Sequence, residues 1–138
     1  MASEQDAYDE LRYYTLARHD AAFIHQHVVN VFTAQRATDQ TKPIALTFSL
    51  VGLYFSMEKG FSGREVQRVH TKLASIRQTW PVFTLPLERG LITVFNVMAA
   101  PAGIERDAVI HAWCRSVWEA FHGSHQLVVD LLLQRGIR

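Results

Sequence analysis

Apolar positions recur every three to four residues in each long segment of this chain, and strict alternation of apolar and polar positions is almost absent. This spacing is typical of one buried face on an α-helix, whereas a half-buried strand alternates at every second residue. The pattern therefore predicts an all-α fold. We expect a single domain over residues 1–138 that packs as a bundle of about five long helices and one or two short ones.

Turn residues and capping signals set the bounds of these helices. Ser62 and Glu65 have the three-residue spacing of a capping box. Asp20 and Ser124 are candidate N-caps of the second and last helices, and Pro43 suits the first position of the third. The predicted helices cover about 3–18, 20–36, 43–59, 62–78, 93–100, 104–121 and 124–135, with an irregular connection at 79–90.

The third predicted helix, residues 43–59, is apolar on nearly all sides. A helix that is apolar all round is buried in the middle of a domain. Its apolar run is shorter than the ~20 residues that a membrane span needs, and several polar or small residues interrupt it. We therefore expect a core helix and no membrane partner.

Charge and cysteine content narrow the classes of function. The formal net charge is +1 and the 14 Lys and Arg residues are scattered, so the sequence predicts no nucleic-acid partner. The single cysteine, Cys114, excludes an internal disulfide and a metal site built from several thiolates. The N-terminal residues also lack a signal-peptide pattern. We expect a cytoplasmic protein in which Cys114 is a buried structural thiol.

The segment FIHQHVVNVF contains His25 and His27. Side chains two residues apart on a helix point about 200° apart, so a regular helix cannot present both to one ion. The two histidines flank the apolar stripe of the predicted second helix from opposite sides, and Gln35 lies within the stripe. A buried amide needs hydrogen-bond partners, so Gln35 either bridges helices or contacts a ligand. We name His25 and Gln35 as candidate ligand-binding residues.

The predicted helix 104–121 carries indole side chains on two sides, because Trp118 lies about 140° from Trp113. Aromatic residues on a second face are enriched at interfaces, which predicts a homodimer and makes Trp118 a candidate binding residue. Packing against residues 79–90 would bury Trp118 equally well. On another side of this helix, His111, Arg115, Glu119 and His122 recur at helical spacing, which predicts an exposed polar stripe.

Five segments occur in a characteristic order: FIHQHVVNVFTAQ, TFSLVGLYFSMEKGFSGREVQRVH, WPVF, TVFNVMAAPAG and AWCRSVWEAF. Together they resemble a bacterial family known as a domain of unknown function, over about residues 15–122. The resemblance implies no activity. The family pattern places an aspartate after HQHVV, where this chain has Asn30, so a carboxylate is missing beside the histidines.

The histidines also give the chain a looser similarity to DinB-like helical bundles, which hold a divalent metal ion with three histidines. That resemblance implies a zinc or nickel site formed by His27, His70 and either His122 or His125. The pair on one helix is spaced by four residues in those enzymes and by three here. Two hypotheses follow: a non-catalytic binding or interaction module, and, as the alternative, a metal-dependent enzyme with a metal-bound water as nucleophile.

Overall fold

The computed structural model describes residues 3–76 and 79–137, and within them the chain is helical with no β-strand, which confirms the all-α prediction. A short 3-10 turn, His122–Ser124, joins the last two helices. The helices are α1 (Glu4–Ala17), α2 (His25–Gln35), α3 (Pro43–Lys59), α4 (Gly63–Ala74), α5 (Val94–Ala99), α6 (Ile104–Ala120) and α7 (His125–Gln134).

Helix α3 is the centre of the bundle, as its composition predicted. It packs against α2, α4, α6 and α7, and most of its residues are buried. The hydroxyls of Thr47, Ser49 and Ser56 donate to carbonyls of the preceding turn of the same helix, which satisfies them inside the core. Among the described residues, no helix is both long and apolar enough to cross a bilayer.

Helices α2 and α3 approach each other closely at Gly52. A Cβ atom on Gly52 would lie 2.0 Å from Nδ2 of Asn30, whose side chain fills that space. Asn30 is 2% exposed, and its Oδ1 accepts a 3.1 Å hydrogen bond from Nε2 of Gln26. The residue that departs from the family pattern is therefore a core contact between two helices.

The predicted start of α2 is wrong. The helix begins at His25, because His19 and Phe23 have positive φ angles of 53° and 56°, which interrupt helical geometry on either side of Asp20. Asp20 instead closes a turn ahead of the helix: its carbonyl accepts from the N–H of Phe23 and its Oδ2 from the N–H of Ile24.

The capping box at Ser62 and Glu65 is confirmed, with each side chain accepting from the backbone N–H of the other. The helix that follows ends at Ala74, short of the predicted end, and residues 77–78 lie outside the described part of the chain. Ser124 directly precedes α7, but within the described residues its hydroxyl makes no capping hydrogen bond. The 3-10 turn that leads into α7 explains why that prediction is wrong.

Candidate functional site

A cavity of about 170 Å³ lies between α2, α3 and α6. Its wall is largely apolar, with Ile24, Met57, Phe61 and Ile110. The polar side chains that line it are His27 from α2, Ser56 from α3, and Asp107, His111 and Cys114 from α6.

His27 is the most unusual of these residues. Its Nδ1 atom is enclosed and has no hydrogen-bond partner within residues 3–76 and 79–137. Burial, helped by the nearby His111 and opposed by the Asp20 carboxylate, lowers the pKa of His27 to about 4. The imidazole is therefore neutral at pH 7 and offers one N–H donor and one nitrogen lone pair.

Asp20 brings a second unsatisfied atom to the start of α2. Its Oδ2 accepts a 3.0 Å hydrogen bond from the N–H of Ile24. Its Oδ1 is enclosed and, among the residues that the structure describes, has no partner. A buried carboxylate oxygen without a donor is costly, so this atom needs an explanation.

Cys114 lies in the cavity wall and is 1% exposed, with its Sγ 3.9 Å from the carbonyl oxygen of His27. Burial raises the pKa of this thiol to about 12. The thiol is therefore protonated at neutral pH and is a poor nucleophile. The buried position predicted for it is confirmed.

Two further polar side chains of the lining, Asp107 and His111, lie towards the protein surface. Both carboxylate oxygens of Asp107 accept from the guanidinium of Arg18, which follows α1. His111 is exposed, as the predicted stripe required. Further along that stripe, Nη1 of Arg115 lies 3.9 Å from Oε1 of Glu119. His111 therefore belongs both to the exposed polar stripe and to the lining of the cavity.

Gln35 is half-buried rather than buried and lies outside this cavity, and hydrogen bonds satisfy both ends of its amide. Its Nε2 donates to the carbonyls of Ile92, at 2.7 Å, and Arg89, at 3.3 Å, and its Oε1 accepts from Nε1 of Trp113 at 2.8 Å. The predicted bridge between helices is confirmed. These contacts hold α2, α6 and the 79–92 connection together without a ligand.

His25 connects α1 with α2. Its Nδ1 lies 2.9 Å from the hydroxyl oxygen of Thr15, which itself donates to backbone carbonyls of α1. The tautomer of the His25 ring decides the direction of this hydrogen bond. Burial, with a smaller effect of Arg12, lowers the pKa of His25.

The prediction that Trp118 lies on a face that a second subunit covers is wrong. Trp118 is 1% exposed and stacks on the ring of His125, with centroids 3.7 Å apart and planes 11° apart. The ring of Tyr54, in α3, packs edge-on against the indole of Trp118, with 6.1 Å between the ring centroids. Helix α7, rather than a partner or the 79–90 connection, provides the stacking partner on this side of α6.

The four histidines of the metal hypothesis are dispersed. His70 and His125 bond through Nε2 to the carbonyls of Phe48 and Trp118, and Nδ1 of His122 lies 3.2 Å from the carbonyl of Glu119. In the described part of the chain, no three His, Cys, Asp or Glu side chains form a group that could hold a metal ion. The zinc or nickel site therefore stays a prediction without a ligand set.

The cavity that His27 and His111 share is the part of the site that the sequence did not indicate. His27 was recognised as lying at the edge of an apolar stripe, and His111 as a member of a surface stripe. Their proximity depends on the packing of α2 against α6. Helical periodicity shows which side of a helix is buried but not which neighbour covers it.

The chain matches the model of a known protein family. A family model described as a family of unknown function, DUF5946, matches residues 4–122. No curated protein and no solved structure matches, so these comparisons give the DinB-like similarity no support. Because the match spans most of the sequence and includes α1 to α6, the chain belongs to the DUF5946 family.

Proposed function

We propose that this protein is a cytoplasmic binding module that takes a small uncharged ligand into the cavity between α2, α3 and α6. One observation carries the proposal: the enclosed Nδ1 of His27, in a residue that lines the cavity, has no hydrogen-bond partner among the described residues. Buried polar atoms in folded proteins are nearly always paired, so an unpaired one beside a cavity favours a bound molecule as its partner.

The size of the cavity limits the ligand. A volume of about 170 Å³ is smaller than the usual pocket for a drug-sized molecule. The ligand is therefore a small molecule or a single side-chain-sized group rather than a nucleotide or a peptide.

The charges around the cavity favour an uncharged ligand. His27 is neutral at pH 7, and Asp107 is already neutralised by Arg18. A charged ligand would lose its hydration against apolar walls with no free counter-charge in the lining to replace it among the residues described. An apolar body with one polar group matches this lining.

Three compounds of the same size test the proposal: cyclopentanol, cyclopentanone and protonated cyclopentylamine. Nuclear magnetic resonance of the full chain, with labelled isoleucine methyl groups, reports binding at Ile24 and Ile110. We expect the alcohol or the ketone to shift both resonances in a saturable way, and the ammonium compound to leave them unchanged.

Two variants locate the binding. His27→Leu removes the polar group, and Ile24→Phe adds bulk to the wall, so both variants should weaken binding at least about tenfold. His122→Leu is the matched control, since His122 is exposed beyond the end of α6. Unchanged binding in both cavity variants, or no response to any of the compounds, contradicts the proposal.

The metal-dependent alternative predicts a different result in the same preparation. Protein purified without a histidine tag should then contain a stoichiometric zinc or nickel ion that His27→Leu and His70→Ala remove. Elemental analysis that finds no ion in the wild-type protein ends that alternative.

A further inference from the structure

A hollow of about 360 Å³ lies between α3 and α7 and is called the α3–α7 hollow below. Its volume falls within the usual range of small-molecule pockets, and it shares no lining residue with the cavity between α2, α3 and α6. Phe55, Leu132 and Ile137 form the enclosed part of its wall, each at most 3% exposed. Val129 and Leu133 extend the apolar wall along α7. The α3–α7 hollow therefore offers an apolar surface to a small organic molecule.

The turn that ends α7 places Ile137 in the α3–α7 hollow. Gly136 has a φ of 68°, a conformation that glycine adopts without strain. The N–H of Gly136 donates to the carbonyl of Leu133 at 3.1 Å. The N–H of Ile137 donates to the carbonyl of Leu132 at 2.9 Å, which completes a Schellman motif. Backbone hydrogen bonds therefore hold Ile137 against the last turns of α7.

Lys59 is the charged residue among the described side chains that line the α3–α7 hollow. It belongs to the last turn of α3, and its Nζ lies 5.9 Å from the centroid of the Tyr54 ring, within the range of a cation–π contact. Tyr54 also lines the hollow, so the ammonium group lies beside its wall. The ion pairs between described residues do not include Lys59, and the adjacent acid, Glu58, is not part of the lining. The Lys59 charge can therefore pair with a bound anion.

A neighbouring hollow on α4 adds positive charge. Ile137 also lines this second hollow, together with Glu65, Arg68 and Lys72. The Glu65 carboxylate already accepts from the N–H of Ser62 in the capping box. Among the described side chains that line the two hollows, three are cationic and one is anionic, so their electrostatic potential favours an anionic ligand.

We propose that the α3–α7 hollow is a second binding site, for a carboxylate with an apolar body such as a medium-chain fatty acid. The hydrocarbon part packs against Phe55, Leu132 and Ile137, and the burial of apolar surface supplies most of the binding free energy. The carboxylate accepts a hydrogen bond from the ammonium group of Lys59, which is exposed at the edge of the hollow. The acid therefore keeps part of its hydration and avoids the cost of a fully buried ion pair.

Three ligands with the same chain length test this site: octanoate, octan-1-ol and octylammonium. In nuclear magnetic resonance of the full chain with labelled isoleucine methyl groups, Ile137 reports the α3–α7 hollow, and Ile24 and Ile110 report the other cavity. We expect octanoate to shift the Ile137 resonance in a saturable way and to leave those of Ile24 and Ile110 unchanged. Octylammonium should bind roughly tenfold more weakly than octanoate, because it meets a like charge at Lys59.

Charge variants of Lys59 test whether this residue selects the acid. Lys59→Glu should reverse the preference, so that octylammonium binds more tightly than octanoate, while the affinity for octan-1-ol stays unchanged. Lys59→Arg keeps the positive charge and should keep the preference of the wild-type protein. Lys42→Glu is the matched control, because Lys42 is exposed at the other end of α3, roughly 25 Å away along the helix.

The outcomes are separate from those for the cavity that His27 lines. Shifts at Ile24 and Ile110 in place of Ile137, or no response to octanoate, overturn the second site. The same preference in wild-type protein and Lys59→Glu overturns the role of Lys59 as the group that binds the acid. Saturable octanoate binding at Ile137 in a protein that binds none of the cyclopentyl compounds supports the second site and refutes the function proposed above.

Discussion

At the scale of single residues, burial makes Cys114 chemically inert. With a pKa of about 12, only about one thiol in ten thousand is ionised at pH 8, and the side chain is also enclosed. We predict that iodoacetamide leaves Cys114 unmodified in the folded protein and labels it fully in denaturant. Intact mass spectrometry measures both states, and rapid labelling of the folded protein would show that the thiol is accessible.

His27 should make folding stability depend on pH. Its pKa is about 4 in the folded protein and near 6.5 when unfolded, so the unfolded chain binds the proton more tightly. Above pH 6.5, His27 is neutral in both states and does not change the free energy of unfolding. As the pH decreases from 6.5 towards 4, the free energy of unfolding falls by up to roughly 3 kcal/mol, because the unfolded chain binds a proton that the folded protein does not.

The measurement is denaturant unfolding at several pH values for wild-type protein and His27→Leu. Between pH 4 and 6.5, the free energy of unfolding should depend less steeply on pH in the variant, by an amount that corresponds to at most one proton. Some dependence should remain, because burial also lowers the pKa values of His25 and His70. Equal slopes in the two proteins would contradict the assignment to His27. His122→Asn, at an exposed position, is the control.

At the scale of elements, Gln35 holds α2 against α6. Gln35→Met keeps the volume but leaves the Nε1 donor of Trp113 buried without its acceptor. We predict a loss of about 1 to 3 kcal/mol in the free energy of unfolding, because an unsatisfied buried donor retains its desolvation cost. Adding Trp113→Phe removes the donor, so a double-mutant cycle should show a coupling energy, and strictly additive effects would contradict the bridge.

The contact between α2 and α3 depends on the absence of a side chain at Gly52. Gly52→Ala should destabilise the protein by about 1 to 3 kcal/mol, because the new Cβ would stand 2.0 Å from Nδ2 of Asn30. Asn30→Ala should relieve this clash in the double variant. Gly123→Ala is the matched control, since a Cβ there meets no described heavy atom within 4 Å, and chemical denaturation measures all of these variants.

Element bounds show how far local signals reach. Pro43 at the start of α3 and the Ser62 capping box of α4 act through neighbouring backbone groups, so the sequence predicts them correctly. Asp20 also had the residue type of an N-cap. Its turn is instead shaped by α4, through the contact of Arg64 with Ala22, and such a long-range contact has no local signature.

At the scale of the whole molecule, the homodimer stays a prediction, and its interface cannot involve the buried Trp118. The segment 82–95 offers a different surface, because Leu87 and Leu91 are 103% and 94% exposed. We predict that Leu87→Glu with Leu91→Glu converts a dimer to a monomer in light scattering at high protein concentration. Leu133→Glu, in α7, is the control, and a monomeric wild-type protein would exclude the dimer.

The sequence by itself determined the helical fold, the buried position of α3 and that of Cys114, because the spacing and character of side chains decide which face of each helix leaves water. Only the tertiary structure decided that His27 and His111 line one cavity, that Gln35 binds Trp113, and that Trp118 is covered by His125. These contacts depend on which apolar faces pair, and many pairings bury similar apolar area. The choice among them comes from the detailed shapes of side chains such as Asn30 against Gly52.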